Sequence, residues 1–391
     1  MKNYIQEASK QINLQEGTTV IEQLLLECYL YPGISTKELA RKTLLPIPVA
    51  AAIKKELIKS GALIQAKGVS CTREGADWID QTWGYGKLNR ALHHELITND
   101  EDWTANMHDV ISELEQLFSQ RPQVNVQIDQ SKCTAETSLR RAILCLKQHA
   151  LIGKRILCVG DDDLVSVSIG LLLKRLFPDH AHAGTVIEVL DIDERFVDYI
   201  QKISERLELP IRCRLHDLRE PLPADLEDAF DCFFTDPPYT LQGMCLFLSR
   251  GISALKKRKG LPIFLSFAHK SPEFMLAMQR EFVRMGLSVN AVLPRFNAYE
   301  GAEMIANRSQ MFVLRTTEQS VPEYSERFTD ALYTGEVKRT LRTYRCKNCG
   351  DDIYVGMQGN VPTIEQLKNQ GCGSCGQDTF EMVNKQSTTG S

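Results

Sequence analysis

The stretch Ile156-Leu157-Cys158-Val159-Gly160-Asp161-Asp162-Asp163-Leu164 decides how this chain is read. An apolar run breaks at a glycine turn, and a second apolar run further on ends in Asp191-Ile192-Asp193. Strand, glycine turn and acid-tipped strand open a doubly wound nucleoside-binding sheet, whose ligands sit at the carboxyl ends of the strands. Dinucleotide and ordinary S-adenosylmethionine sites fill that turn with glycines, so that backbone can approach a phosphate or a carboxylate. Here three aspartates fill it. Two like charges roughly 4 Å apart repel by about 4 kcal/mol at an effective dielectric of about 20, so the ligand beside this turn is expected to be cationic.

Working outward, apolar strands and amphipathic helices alternate from about 131 to 317, as a mainly parallel sheet with helices on both faces requires. Strands are expected at 155–159, 185–190, 211–215, 230–234 and 262–267, with two closing strands at 288–294 and 310–315. Gly160, Asp191, Asp217 and Asp236 then all fall at strand tips. Asp191, with Asp193 as its alternate, is the candidate for the ribose hydroxyls, and Asp217 stands where an adenine amine would lie. Thr235-Asp236-Pro237-Pro238-Tyr239 is the most specific local motif. Two prolines stiffen a turn that presents Asp236 and a flat tyrosine ring at the sheet edge, where a ring can pack on a cationic centre. Such turns position the attacking nitrogen in amino-directed methyltransferases, so the nucleophile is expected to be an amine.

The flanks read differently. Residues 18–82 predict a winged-helix domain: a helix, the capped start Ser35-Thr36-Lys37-Glu38, a third helix ending at Gly61, and a short hairpin. That third helix offers Lys54, Lys55 and Lys59 but no Arg, Asn or Gln to read base edges, so a lid or homodimerisation role is favoured over DNA. Residues 83–130 form a connector ending in an extended Gln123–Ile128, and 318–342 a polar linker. Cys346-Lys-Asn-Cys349 and Cys372-Gly-Ser-Cys375, each followed by glycine, predict a structural zinc ribbon over 343–380, because four thiolates close a tetrahedral site. Residues 381–391 are expected to be a disordered tail.

Composition bounds the rest. With 391 residues, 43% hydrophobic and 25% charged, the chain is an ordinary globular protein of two or three domains. A net charge of -4 provides no global field for nucleic acid. No run of about 18 apolar residues and no leader-like segment is present, so neither a membrane partner nor secretion is expected and the predicted location is cytoplasmic. The eight scattered cysteines, several in apolar runs, are read as small reduced hydrophobes.

Gly160-Asp161-Asp162-Asp163, Asp191-Ile-Asp193-Glu194-Arg195 and Thr235-Asp236-Pro237-Pro238-Tyr239-Thr240, with Asp129-Gln130 and Thr134-Ala-Glu136-Thr137 upstream, resemble the branched-chain polyamine synthases. These are the N4-bis(aminopropyl)spermidine synthase family of aminopropyltransferases, and the resemblance spans roughly 20–317. It implies an α/β, Rossmann-like doubly wound sheet of the class I methyltransferase type, here between the winged helix and the zinc ribbon. It implies decarboxylated S-adenosylmethionine as co-substrate and a polyamine such as spermidine as acceptor, both cationic. Asp162 would take the proton of the attacking amine, with Asp236 and Tyr239 aligning it. Asp161, Asp163 and Glu136 would hold ammonium ends, or Asp161 and Asp163 would cap the next helix. Gly160, Asp191, Asp193, Asp217 and Pro237 would bind the donor nucleoside. The competing expectation is an S-adenosylmethionine-dependent amino-methyltransferase acting on nucleic acid, which would want a glycine-rich first loop and a basic flank.

Overall fold

The computed structural model describes residues 3–12, 14–98, 103–178, 184–301, 306–356 and 359–389. At the amino end, helices α1 (Tyr4–Gln11), α2 (Thr19–Leu30), α3 (Thr36–Lys42) and α4 (Ile47–Lys59) precede a hairpin of β1 (Leu63–Gln65) and β2 (Val69–Cys71). Their starts follow local chemistry. Ser35 caps α3 by accepting from the Glu38 amide, and Thr72 caps α5 (Arg73–Trp83) by accepting from Gly75. Ile21, Leu24, Leu25, Leu39, Ile53, Leu57 and Val69 give this unit a buried apolar centre. Helices α6 (Arg90–Thr98) and α7 (His108–Gln120) connect it to the sheet. The segment expected to be extended before Ile128 is instead turned at Val126–Ile128, where Asn125 accepts from the Gln127 amide.

In chain order the large sheet and its helices are β3 (Lys132–Cys133), α8 (Ala135–Lys147), β4 (Arg155–Val159), α9 (Val165–Leu176), β5 (Val186–Asp191), α10 (Glu194–Leu207) and β6 (Ile211–Leu215). There follow β7 (Cys232–Thr235), α11 (Leu241–Ala254), β8 (Pro262–Ala268), α12 (Pro272–Arg284), β9 (Leu287–Glu300) and β10 (Arg308–Thr316). The strand order is β3-β9-β10-β8-β7-β4-β5-β6. Strands β6, β5, β4, β7 and β8 are mutually parallel, and β10 runs antiparallel between β8 and β9. The order reverses between β4 and β7, which opens a crevice at their carboxyl ends. Both sheet faces are covered, so the central strands are mostly apolar and almost wholly buried: β8 is buried at every residue, as are all but the first of β4.

Strand β9 exceeds its expected end at Pro294. A register shift opposite Ser309 and Met311, with Arg295 at φ 55°, bulges the strand around the proline and carries it on to Glu300. That extension places Asn297 and Tyr299 beside the crevice.

The segment after β10 is not a loose linker. Arg250, 1% exposed on α11, donates to the carbonyls of Tyr324 and Glu326 at 2.8 and 2.7 Å, and Phe328, Leu332 and Tyr333 are buried. Residues 321–333 thus form a strap across the strand tips, ending in the short helix α13 (Thr334–Val337). Strand β11 (Lys338–Cys346) then pairs with β12 (Asp352–Val355) and, across α14 (Ile364–Gln370), with β13 (Phe380–Thr389). The expected disordered tail is therefore corrected as far as Thr389, because β11 offers it a full ladder of backbone partners; residues 390 and 391 lie outside the described residues. Among the described residues no helix is long and apolar enough to cross a membrane. The eight scattered cysteines are unbridged, six of them buried.

Candidate active site

Gly160 turns the chain out of β4 at φ 75°, a conformation that costs a side-chain-bearing residue but not glycine, and its amide donates to the Leu190 carbonyl at 2.8 Å. The next three residues diverge. Asp161 is buried and accepts from the Val165 and Ser166 amides, so it caps α9; burial raises its pKa to about 7. Asp163, also buried, turns the other way and accepts from Arg141 Nη1 at 2.6 Å. Its second oxygen is buried without a hydrogen-bond partner. Asp162 faces the crevice, where one oxygen accepts from the Ser131 amide at 3.1 Å. Burial, then the charges of Asp163, Asp191 and Asp236, hold its carboxyl well above the ordinary carboxylate range.

Arg141 organises the acids. It lies on α8, 2% exposed, with Nη1 on Asp163, Nη2 on Asp236 Oδ2 at 2.9 Å and Nε on Asn297 Oδ1 at 2.9 Å. Asp236 also accepts from Tyr299 at 2.6 Å and from Tyr239 at 3.0 Å. Its pKa rises to about 6, burial being the largest cause, with Arg141 opposing. A single buried guanidinium thus compensates two of the acids and leaves Asp162 uncompensated. Arg141, Asn297 and Tyr299 were not among the site residues expected from the sequence. Successive helix residues point about 100° apart, so Arg140 pairs outward with Glu136 while Arg141 turns in with Thr137. The available signal was Thr137 and Arg141 four apart on the apolar face of α8.

At the neighbouring tip Asp191 lines the crevice, accepting from the Asp161 amide at 2.9 Å and the Asp193 amide at 2.8 Å. Asp193 caps α10, and the Arg195 side chain donates to both of its oxygens; these bonds outweigh burial and hold its carboxyl below the ordinary range. Asp217 is half-buried after β6 and accepts from the Arg219 amide at 2.9 Å, beside rather than on the crevice wall. Of the two prolines it is Pro238, not Pro237, that lines the crevice, together with Ile128, Leu218, Phe247 and Tyr333. Glu136 does not join the cluster: its ion pair with Arg140 lies on the outer face of α8 near Lys132 and Ala298. The strap closes the rim, where the Thr334 amide donates to Asp129 at 2.6 Å and Thr240 donates to the Leu332 carbonyl at 3.0 Å.

The four cysteines of the carboxyl-terminal unit converge. Their sulfurs lie within 4.8 Å of one another, with Cys346 and Cys375 3.5 Å apart and Cys349 and Cys372 3.6 Å apart. A tetrahedron with metal–sulfur bonds of about 2.3 Å has edges of roughly 3.8 Å, so the donor set fits zinc. The unit also approaches the strand tips, since Pro362 and Gln366 border one hollow with Val126, Ile192 and Asp193.

A mainly parallel sheet with this strand order and an acid-lined crevice at its switch point is a Rossmann-like fold of the class I methyltransferase type. Residues 109–357 match the branched-chain polyamine synthase A C-terminal domain, and the chain belongs to that family. An uncharacterized protein of Methanocaldococcus jannaschii is 35% identical over 386 residues, 97% of this chain and 92% of its own length. The N(4)-bis(aminopropyl)spermidine synthase of the same organism is 28% identical over 65% of this chain and 70% of its own. That of Thermococcus kodakarensis is 31% identical over the same shares.

Proposed function

We propose that this protein transfers aminopropyl groups from decarboxylated S-adenosylmethionine to an amine of a polyamine such as spermidine, giving a branched polyamine and 5′-methylthioadenosine. The observation that carries this reading is the uncompensated Asp162 in a crevice whose other acids are already engaged. The acceptor nitrogen attacks the carbon beside the sulfonium, the C–N bond forms as the C–S bond breaks, and the sulfur leaves neutral with the nucleoside. Asp162, with its raised proton affinity, takes the proton lost by the nitrogen. Asp236, held by Arg141, Tyr239 and Tyr299, fixes the nitrogen's approach, and Asp163 acts from behind by anchoring Arg141. Positioning and fixed charge supply most of the rate. Asp191 receives the ribose hydroxyls on its remaining lone pairs, Gly160 and Pro238 bracket the nucleoside, and Asp193 and Asp217 act by shaping the loops around it. An ordinary S-adenosylmethionine carboxylate would meet the acidic turn and be repelled. Calorimetry should therefore show S-adenosylmethionine binding at least ~10-fold more weakly than its decarboxylated form; equal affinities would remove the charge argument and favour the methyltransferase alternative.

The amino-terminal helices and hairpin are read as a winged-helix unit and the four-cysteine unit as a zinc ribbon. Cys346, Cys349, Cys372 and Cys375 would hold one zinc with no coordination position left for substrate, so the metal would supply folding energy on the order of 10 kcal/mol rather than chemistry. A chain ending at residue 337, before β11, should lose bound zinc yet keep detectable aminopropyl transfer. A folded truncation that binds donor normally and makes no product would place the ribbon in the active site.

A further inference from the structure

Beside the acid cluster lies a group of aromatic rings of which only Tyr239, through its hydroxyl, enters the chemistry above. Tyr239 comes from the turn after β7, Phe267 from the carboxyl end of β8, and Phe274 from the first turn of α12. The Tyr239 and Phe267 centroids are 5.1 Å apart, and Phe267 and Phe274 stack at 5.9 Å. The ammonium of Lys270 lies 5.7, 5.9 and 5.4 Å from the Tyr239, Phe267 and Phe274 centroids. One lysine over one ring is commonplace; three rings from three elements around one ammonium is the arrangement by which aromatic cages recognise cationic ligands. The group is joined to the reaction centre, because the Tyr239 hydroxyl is bonded to Asp236. The positive charge of Lys270 is also felt by Asp129 on the crevice wall.

We propose that the Tyr239, Phe267 and Phe274 rings form the subsite for an end ammonium of the acceptor, and that Lys270 occupies it as a stand-in until the acceptor displaces it. This rests on the polyamine reading. A lysine side chain and a polyamine end are the same group, an ammonium on an alkyl chain, so a cage that holds one suits the other. Lys270, half-buried just ahead of α12, places its ammonium where the acceptor's would lie. A polyamine anchored there by one end would pass Asp236 on its way to Asp162, which presents an interior nitrogen to the donor and accounts for branching.

The test is steady-state kinetics of the full chain with spermidine and decarboxylated S-adenosylmethionine, with 5′-methylthioadenosine affinity measured by calorimetry as a control. Phe274→Leu should raise the KM for spermidine by roughly three- to thirty-fold, the scale of a lost cation–ring contact, whereas Phe274→Tyr should preserve it. Lys270→Met, which removes the competing ammonium, should lower that KM by about two-fold or more, in proportion to the stand-in's occupancy. Nucleoside affinity should stay unchanged in all three. An unchanged spermidine KM in Phe274→Leu, or a raised one in Lys270→Met, would overturn the subsite. Absence of polyamine turnover in the unaltered protein would instead overturn the polyamine reading itself.

Discussion

Asp162→Asn is expected to lower turnover by roughly 10²-fold or more, the scale of lost acid–base assistance, while leaving 5′-methylthioadenosine binding near normal. The substitution keeps the shape and the hydrogen bond from the Ser131 amide but removes the charge that receives the proton. The pH profile offers a second measurement. Burial and the neighbouring acids raise the Asp162 pKa, and the group must be ionised to act as base. Activity of the unaltered protein should therefore fall as pH drops through a value above the ordinary carboxylate range, and that limb should be lost or moved in the variant. Near-normal turnover of Asp162→Asn would transfer the role to Asp236, whose own pKa of about 6 would then set the limb.

Arg141→Met should be strongly destabilising. Removing one partner of a buried ion pair leaves an uncompensated charge and typically costs about 3–5 kcal/mol; here two acids, Asp163 and Asp236, lose the same guanidinium. Urea unfolding should report the loss as a lower midpoint. Adding Asp163→Asn should restore part of it, because the two changes share one interaction and are not additive. An Arg141→Met protein as stable as the parent, or no recovery in the double variant, would mean that solvent compensates these acids and that Arg141 does not organise the cluster.

The sheet was legible because its signals are local. Buried parallel strands must be apolar runs, and the turn after β4 must carry glycine at positive φ, so Ile156–Gly160, Asp191 and Asp236 announced their places. The two Cys-x-x-Cys pairs were equally plain, since a tetrahedral thiolate site depends on short spacings. Less legible was anything made by a change of direction. Pro294 reads as the end of a strand, and only the bulge at Arg295 lets β9 continue to Asn297 and Tyr299. The strap was taken for a linker because its polar residues outnumber Phe328, Leu332 and Tyr333, yet those three are what bury it.

The sequence by itself determined the fold class, the acidic character of the crevice and hence the sign of its ligands, because those follow from residue type and periodicity. Which acid does what was decided by tertiary structure alone. Asp161, Asp162 and Asp163 are chemically identical in the sequence, and they part company only because α9 presents unpaired amides to the first, the open crevice admits the second, and Arg141, brought from α8, binds the third. Long-range placement of one buried cation, which no local pattern encodes, is what singles out Asp162.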